Sequence, residues 1–145
     1  MKRFLLVLFL FLVTTIIYAQ TLPSWVRMGM SEEQVRRNFN GTLTANIGQS
    51  SLIRDFVFLR GNERNQRYEF WIHPRVGLIQ VIMFEEYTIS NFNSILSSLR
   101  QRYGEPEFEE GEYYFIYNMP HNMEEIVLGA NDGFIEIIYV FVNYP

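Results

Sequence analysis

Apolar residues recur along this chain with two periods, and the period changes at a few turn-like breaks. In "ISNFNSILSSLRQRYGEPE", Phe92, Ile95, Leu96, Leu99 and Tyr103 return every three or four positions, the spacing of one buried stripe on an α-helix. Gly104 stops that helix and Pro106 forbids its continuation. A shorter helix is marked by its start, "MGMSEEQVRRNFNG", residues 28–41. Ser31 stands at the N-cap and Gln34 completes a capping box, each side chain reaching the other's free backbone N–H. Met30 and Val35 have the spacing of a hydrophobic staple. Glu32 and Glu33 lie in the first turn, where the helix dipole favours negative charge, and Asn40-Gly41 closes the helix.

Between and after the helices the pattern is that of strands, rich in β-branched and aromatic residues. Residues 51–59, 66–72, 76–84, 112–118, 124–129 and 133–142 are the predicted strands, separated by "RGNERN", "HPR", "MPHN" and "ANDG". The order helix, three strands, helix, three strands predicts a tandem αβββ repeat, residues 28–86 and 87–145. Aligning the helix ends offsets the halves by about 64 residues and matches Val35 with Leu99, Arg36 with Arg100 and Phe39 with Tyr103. Short connections favour antiparallel pairing. The expected fold class is α+β: a two-layer sandwich with an antiparallel sheet and both helices on one face.

One apolar stretch belongs to neither pattern. Lys2 and Arg3 precede the fourteen-residue run from Phe4 to Ile17, and a small residue, Ala19, stands before Gln20. These are the charged, apolar and cleavage regions of a secretory signal peptide. The run falls short of the roughly 20 residues that span a bilayer. We therefore expect a signal peptide over residues 1–19, a single domain over residues 20–145, no stable membrane span after cleavage, and a periplasmic or secreted location. The chain has no cysteine, so disulfides, thiolate metal sites, cysteine nucleophiles and lipid attachment through a new N-terminal cysteine are excluded.

Charge changes the picture further. From Gln20 onward there are ten arginines and sixteen acids, a net charge of −6. All ten arginines lie between Arg27 and Arg102, whereas residues 103–145 hold nine acids and no Lys or Arg. Nucleic acid is not an expected partner, because phosphate binding needs a basic stripe. The acidic half suits a cationic partner or head-to-tail self-association, set against the plainer alternative of solvated surface charge.

Candidate chemistry is sparse. His73 and His121 each sit beside a proline in a turn, and with Glu69 they make a poor metal set without HxH or HxxxH spacing; no metal or cofactor is expected. No GxSxG, glycine-rich phosphate loop or calcium-loop pattern is present, and the acidic tract "GEPEFEEGEYY" reads as a solvated loop. The strongest candidate comes from strand alternation. In "QRYEFWIH", Tyr68, Phe70 and Ile72 are placed toward the helices, which puts Arg67, Glu69, Trp71 and His73 on the opposite face. Tyr114, with Ile116, is assigned to the same surface. A tryptophan among charges on a sheet face is the composition of a protein-recognition hot spot. The structural alternative covers Trp71 with a loop or with Trp25.

The segment "GMSEEQV", residues 29–35, is similar to the Gly-Met-(Ser/Thr)-x-x-Gln-Val helix start of the BamE/SmpA outer-membrane assembly lipoproteins and of β-lactamase-inhibitory-protein-like (BLIP-like) domains, which carry tandem helix-plus-sheet repeats. The exit of the second helix through Gly104, Glu105 and Pro106 matches the Gly-x-Pro exit of those helices, whereas the first leaves by Asn40, Gly41 and Thr42. The resemblance implies an envelope-located binding domain, not an enzyme, and assigns no functional residue. The expectation is thus an exported, non-catalytic protein-interaction module whose partner is another envelope or secreted protein, inhibitor-like or an assembly accessory. The alternative from a different class is a small-molecule carrier or enzyme with an apolar pocket lined by Phe and Tyr.

Overall fold

A computed structural model describes residues 22–47, 56–63, 66–120 and 122–141. The predicted signal peptide, His121 and most of the predicted 51–59 strand lie outside these residues.

Helix α1 runs Glu32–Asn38, and its capping box forms as expected. The Gln34 N–H donates to Ser31 Oγ at 3.3 Å, and the Ser31 N–H donates to Gln34 Oε1 at 2.8 Å. Two ion pairs one turn apart, Glu32 with Arg36 at 2.8 Å and Glu33 with Arg37 at 2.5 Å, add support worth a few tenths of a kcal/mol each at this exposed surface. Ser31→Ala removes the acceptor at the N-cap. The expected result is a loss of about 1 kcal/mol, read as a lower urea midpoint at unchanged slope.

Helix α2 runs Ile89–Tyr103 and is capped by Thr88, whose Oγ1 accepts the Asn91 N–H at 3.0 Å. Leu96 and Leu99 are buried, with Phe92, Ile95 and Tyr103 packed against the same core, so the expected stripe is the buried one. Gly104 closes the helix, its φ of 91 lying in the region where a side chain is unfavourable.

The strands are β1 Leu43–Ile47, β2 Val57–Glu63, β3 Gln66–His73, β4 Gly77–Glu86, β5 Glu107–Glu109, β6 Glu112–Phe115, β7 Glu125–Asn131 and β8 Phe134–Val140. They form one sheet in the order β1-β2-β3-β4-β8-β7-β6-β5, with every neighbouring pair antiparallel. Two four-strand meanders therefore join through their last strands, β4 and β8.

This corrects the expected count of three strands after each helix: among the described residues there are four. β1 was missed because "LTANI", although it alternates, is only five residues long and contains Ala and Asn, which are depleted in strands. β5 was missed because glutamate is depleted in strands. The tract read as a solvated loop is instead a hairpin. Glu110 and Gly111, with φ of 51 and 92, have the paired positive values of a tight two-residue turn between β5 and β6. The break "RGNERN" is also partly strand, since β2 continues to Glu63.

Alternation decides what lies inside. Tyr68, Phe70 and Ile72 of β3 are buried together with Val81 and Met83 of β4, Ile135, Ile137 and Tyr139 of β8, and Ile126 and Leu128 of β7. Val35 of α1 and Leu96 and Leu99 of α2 belong to that cluster. The segment before α1 is tied down by its backbone: the Gly29 N–H donates to the Leu78 carbonyl at 2.9 Å, and the Leu78 N–H donates to the Met30 carbonyl at 2.8 Å. Gly29 and Met30, the first residues of "GMSEEQV", thus serve a contact with β4 that no local pattern reveals.

Candidate interaction face

The face of the sheet opposite the buried cluster is built from the other half of each alternation. On β3 it carries Arg67, Glu69 and Trp71, three of the residues singled out in the sequence. Glu69 is only 5% exposed, and a buried carboxylate is tolerable only when paired. Its two oxygens are both used. Arg60 Nε of β2 donates to Oε2 at 2.5 Å, and Trp71 Nε1 donates to Oε1 at 2.6 Å. The indole is further held edge-on by Phe58, with ring centroids 4.8 Å apart at 88°. The tryptophan therefore presents a fixed orientation instead of sampling rotamers, which lowers the entropy lost when anything packs on it.

Trp25 does not cover Trp71. It packs on Phe39 and Phe70, at 6.5 and 5.8 Å between centroids, and so belongs with the core cluster. Phe70 and Trp71 are consecutive on a strand, so their side chains leave opposite faces.

Register links β3 to the rest of the face. Thr44, Arg60, Glu69, Ile82, Ile138, Val127, Tyr114 and Glu107 pair in succession across all eight strands, one residue from each. Tyr114 thus shares the row of Glu69, but four strand spacings away, about 19 Å at the usual 4.8 Å separation. Arg67, Glu69 and Trp71 form one spot, and Tyr114 stands at the far end of a strip. Ile82, Ile138 and Val127 lie between them and were not singled out in the sequence; finding them needed the β4–β8 pairing, and Ile82 and Val127, at 8% and 6% exposed, are themselves buried. The row runs polar, apolar, polar from edge to edge.

On one side of this row Arg67 stacks over the Phe84 ring at 4.2 Å, with Phe134 also within reach at 5.6 Å. His73 serves its own turn: its Nδ1 accepts the backbone N–H groups of Arg75 at 3.2 Å and Val76 at 3.3 Å, and its ring meets Phe56 at 5.2 Å. Its predicted membership of a recognition spot is therefore joined to a structural task. Among the described residues no group of three or more His, Asp or Glu is placed to hold a metal ion, and no helix is long and apolar enough to cross a membrane.

Electrostatics differ between the two ends of the strip. The Tyr114 hydroxyl donates to Glu112 Oε2 at 2.7 Å, and that bond, with burial and the charges of Glu112, Glu109 and Glu110, pushes its pKa up to about 12. Glu136 has its carboxyl held above the usual range, first by burial and then by the charges of Glu112 and Glu69, with Arg67 opposing. A carboxyl whose pKa is higher folded than unfolded takes its proton first in the folded state. Its charge therefore weakens the fold at neutral pH, and stability rises as pH falls through the raised value. Glu136→Gln is expected to raise the melting temperature at neutral pH and to lose that advantage near about pH 4, where the native carboxyl is protonated as well. Scanning fluorimetry at the two pH values checks it; a lower melting temperature at neutral pH contradicts it.

Comparison with protein-family models, with curated proteins and with solved structures returns no match for this chain.

Proposed function

We propose that this protein is an exported, non-catalytic protein-interaction module of the cell envelope or extracellular space, and that it binds through the second face of its sheet. The observation that carries this reading is the Arg60–Glu69–Trp71 arrangement: an indole locked by a buried carboxylate at the head of an apolar strip. Tryptophan and arginine held in fixed positions, beside aliphatic residues and ringed by charge, make up the composition of interface hot spots.

The finer fold belongs to the same proposal. We take both helices to lie on one face, because Val35, Leu96 and Leu99 join a single cluster with Phe70, Val81, Leu128 and Ile137. We take the two halves as a tandem repeat of one helix and four strands. The caps Ser31 and Thr88 are 57 residues apart and the turn glycines Gly77 and Gly133 are 56 apart. Helix α2 has 15 residues against 7 in α1, which accounts for the larger offset where the helices end. The bond from the Tyr87 N–H to the Gly133 carbonyl, 3.0 Å, matches the tie between Gly29 and β4 in the first half. This order of elements is in keeping with the BamE/SmpA-like and BLIP-like resemblance of "GMSEEQV", and export rests on the leader-like residues 1–19.

The test is a pull-down from envelope and secreted fractions with the full chain carrying a C-terminal tag, comparing wild type with Trp71→Ala and with Ile89→Ala. Ile89 is a 72% exposed residue of α2 and serves as the control. A protein retained by wild type and Ile89→Ala but lost by folded Trp71→Ala is the expected result. Equal retention by all three contradicts the reading.

A further inference from the structure

Asn40 is followed by a glycine, and no other asparagine of the chain is. The pair lies on the connection between α1 and β1. Phe39, the C-cap of α1, is already extended, with φ of −75 and ψ of 125, and β1 begins only at Leu43. Asn40 and Gly41 are both exposed. Among the described residues no hydrogen bond holds the Asn40 carboxamide or the Gly41 N–H. Asparagines within the helices are held: Asn38 donates from Nδ2 to the Gln34 carbonyl at 2.8 Å, and Asn91 donates from Nδ2 to the Glu86 carbonyl at 3.2 Å. Packing also fixes residue 41 as glycine, since a Cβ there would stand 2.7 Å from the Asn62 carbonyl oxygen and 3.0 Å from the Phe39 ring. The side chain that would shield the nitrogen of residue 41 is therefore excluded by the fold.

We propose that Asn40 is a self-modification site, at which the folded protein deamidates, turns the connection between α1 and β1 into isoaspartate and thereby loosens β1. The Gly41 nitrogen, its proton taken by hydroxide, attacks Asn40 Cγ; the carboxamide C–N bond breaks and ammonia leaves with a proton from water, closing a cyclic imide. Water then opens one imide C–N bond, giving aspartate when the side-chain carbonyl is hydrolysed and isoaspartate when the backbone carbonyl is. The balance is one water consumed and one ammonia released, and the step draws on no oxidant or reductant. Both products add one negative charge, and isoaspartate also adds one carbon to the main chain. That carbon enters between two anchored points. On one side Phe39 is 6% exposed and set among Trp25, Tyr68 and Phe70; on the other Leu43 pairs with Gly61, and its carbonyl accepts Arg36 Nη1 at 2.9 Å. Phe39 is locked in the core, whereas β1 is an edge strand with one neighbour, so β1 is the element that yields. Asp132-Gly133 is the rival pair. It is held in the turn between β7 and β8, where the Gly133 carbonyl accepts the Tyr87 N–H, and a carboxylate is a poorer electrophile than a carboxamide.

The test is incubation of purified protein, expressed from the full chain, at mildly alkaline pH, where hydroxide speeds cyclisation, beside the same protein unfolded in guanidinium chloride. Peptide mapping by mass spectrometry follows the gain of about 1 Da that accompanies replacement of the amide by an acid. The expected result is that Asn40 gains this mass before any other asparagine of the folded protein, with isoaspartate the main product, and that Asn40→Gln keeps its mass at position 40. A folded protein that holds Asn40 unchanged while the unfolded chain converts, or that converts another asparagine first, overturns the proposal. The isoaspartate-rich pool, separated by its added charge, is expected to melt below Asn40→Asp, which carries the same charge on an unaltered main chain, and to exchange the Ala45 amide faster. Equal melting and equal exchange in the two contradict the loosening of β1.

Discussion

Gly77→Ala is expected to lower stability by about 3–5 kcal/mol, a large part of what a domain of this size has. Gly77 has φ of 80, where a side chain costs about 1–2 kcal/mol. Space is the larger problem. A Cβ at this position would stand 2.3 Å from the Gly29 carbonyl oxygen, 2.5 Å from its carbon and 2.9 Å from its Cα, all of them backbone. No rotamer relieves such a clash, so the 29–30 segment must move away from β4. That breaks the bonds of Gly29 and Met30 to Leu78, each worth about 1 kcal/mol, and loosens buried Met30 next to the α1 cap. Gly133→Ala is the internal control. Its φ is also 80, but a Cβ there meets nothing within 4 Å, so only the backbone term of about 1–2 kcal/mol remains. Urea unfolding of the two variants measures the difference, and equal losses would show that the close approach to Gly29 is not tight.

Phe70→Ala is expected to cost about 3–5 kcal/mol. The ring is fully buried on β3 and meets Phe39, the C-cap of α1, at 5.7 Å, Tyr68 at 5.9 Å and Trp25 of the N-terminal segment at 5.8 Å. It joins three parts of the first half, so its removal leaves a cavity walled by other rings that are too rigid to collapse into it. Phe108 is 63% exposed and touches mainly Tyr113, and Phe108→Ala is expected to cost under about 1 kcal/mol. Chemical denaturation of both variants, followed by circular dichroism, checks the contrast. A Phe70→Ala loss as small as that of Phe108→Ala would contradict the described core.

What could be read from the sequence was local. The capping of α1 by Ser31 and Gln34, the stripe of α2, and the alternation that separates Phe70 from Trp71 all follow from residues within four positions of one another. β1 and β5 escaped because their sequences lack the composition of strands: "EFE" is a strand only because it pairs with β6 across a two-residue turn. Arg60 escaped because it was assigned to a turn, although register sets it opposite Glu69 and completes the lock on Trp71. The strip joining Glu69 to Tyr114 depends on β4 pairing with β8, a contact between the two halves that no spacing within either half encodes. The tie between Gly29 and Gly77 is likewise a meeting of distant backbones, visible in sequence only as two glycines.

The central claim is that the second face of the sheet is where this protein binds another. Its most direct test is site-specific photo-crosslinking in the cell of origin, with a benzophenone amino acid placed in turn at position 80, the register neighbour of Trp71 on β4, and at positions 114 and 89. Adducts to one and the same protein from positions 80 and 114, and none from position 89 on α2, are expected. Adducts from position 89 alone would move the binding surface to the helical side and contradict the claim.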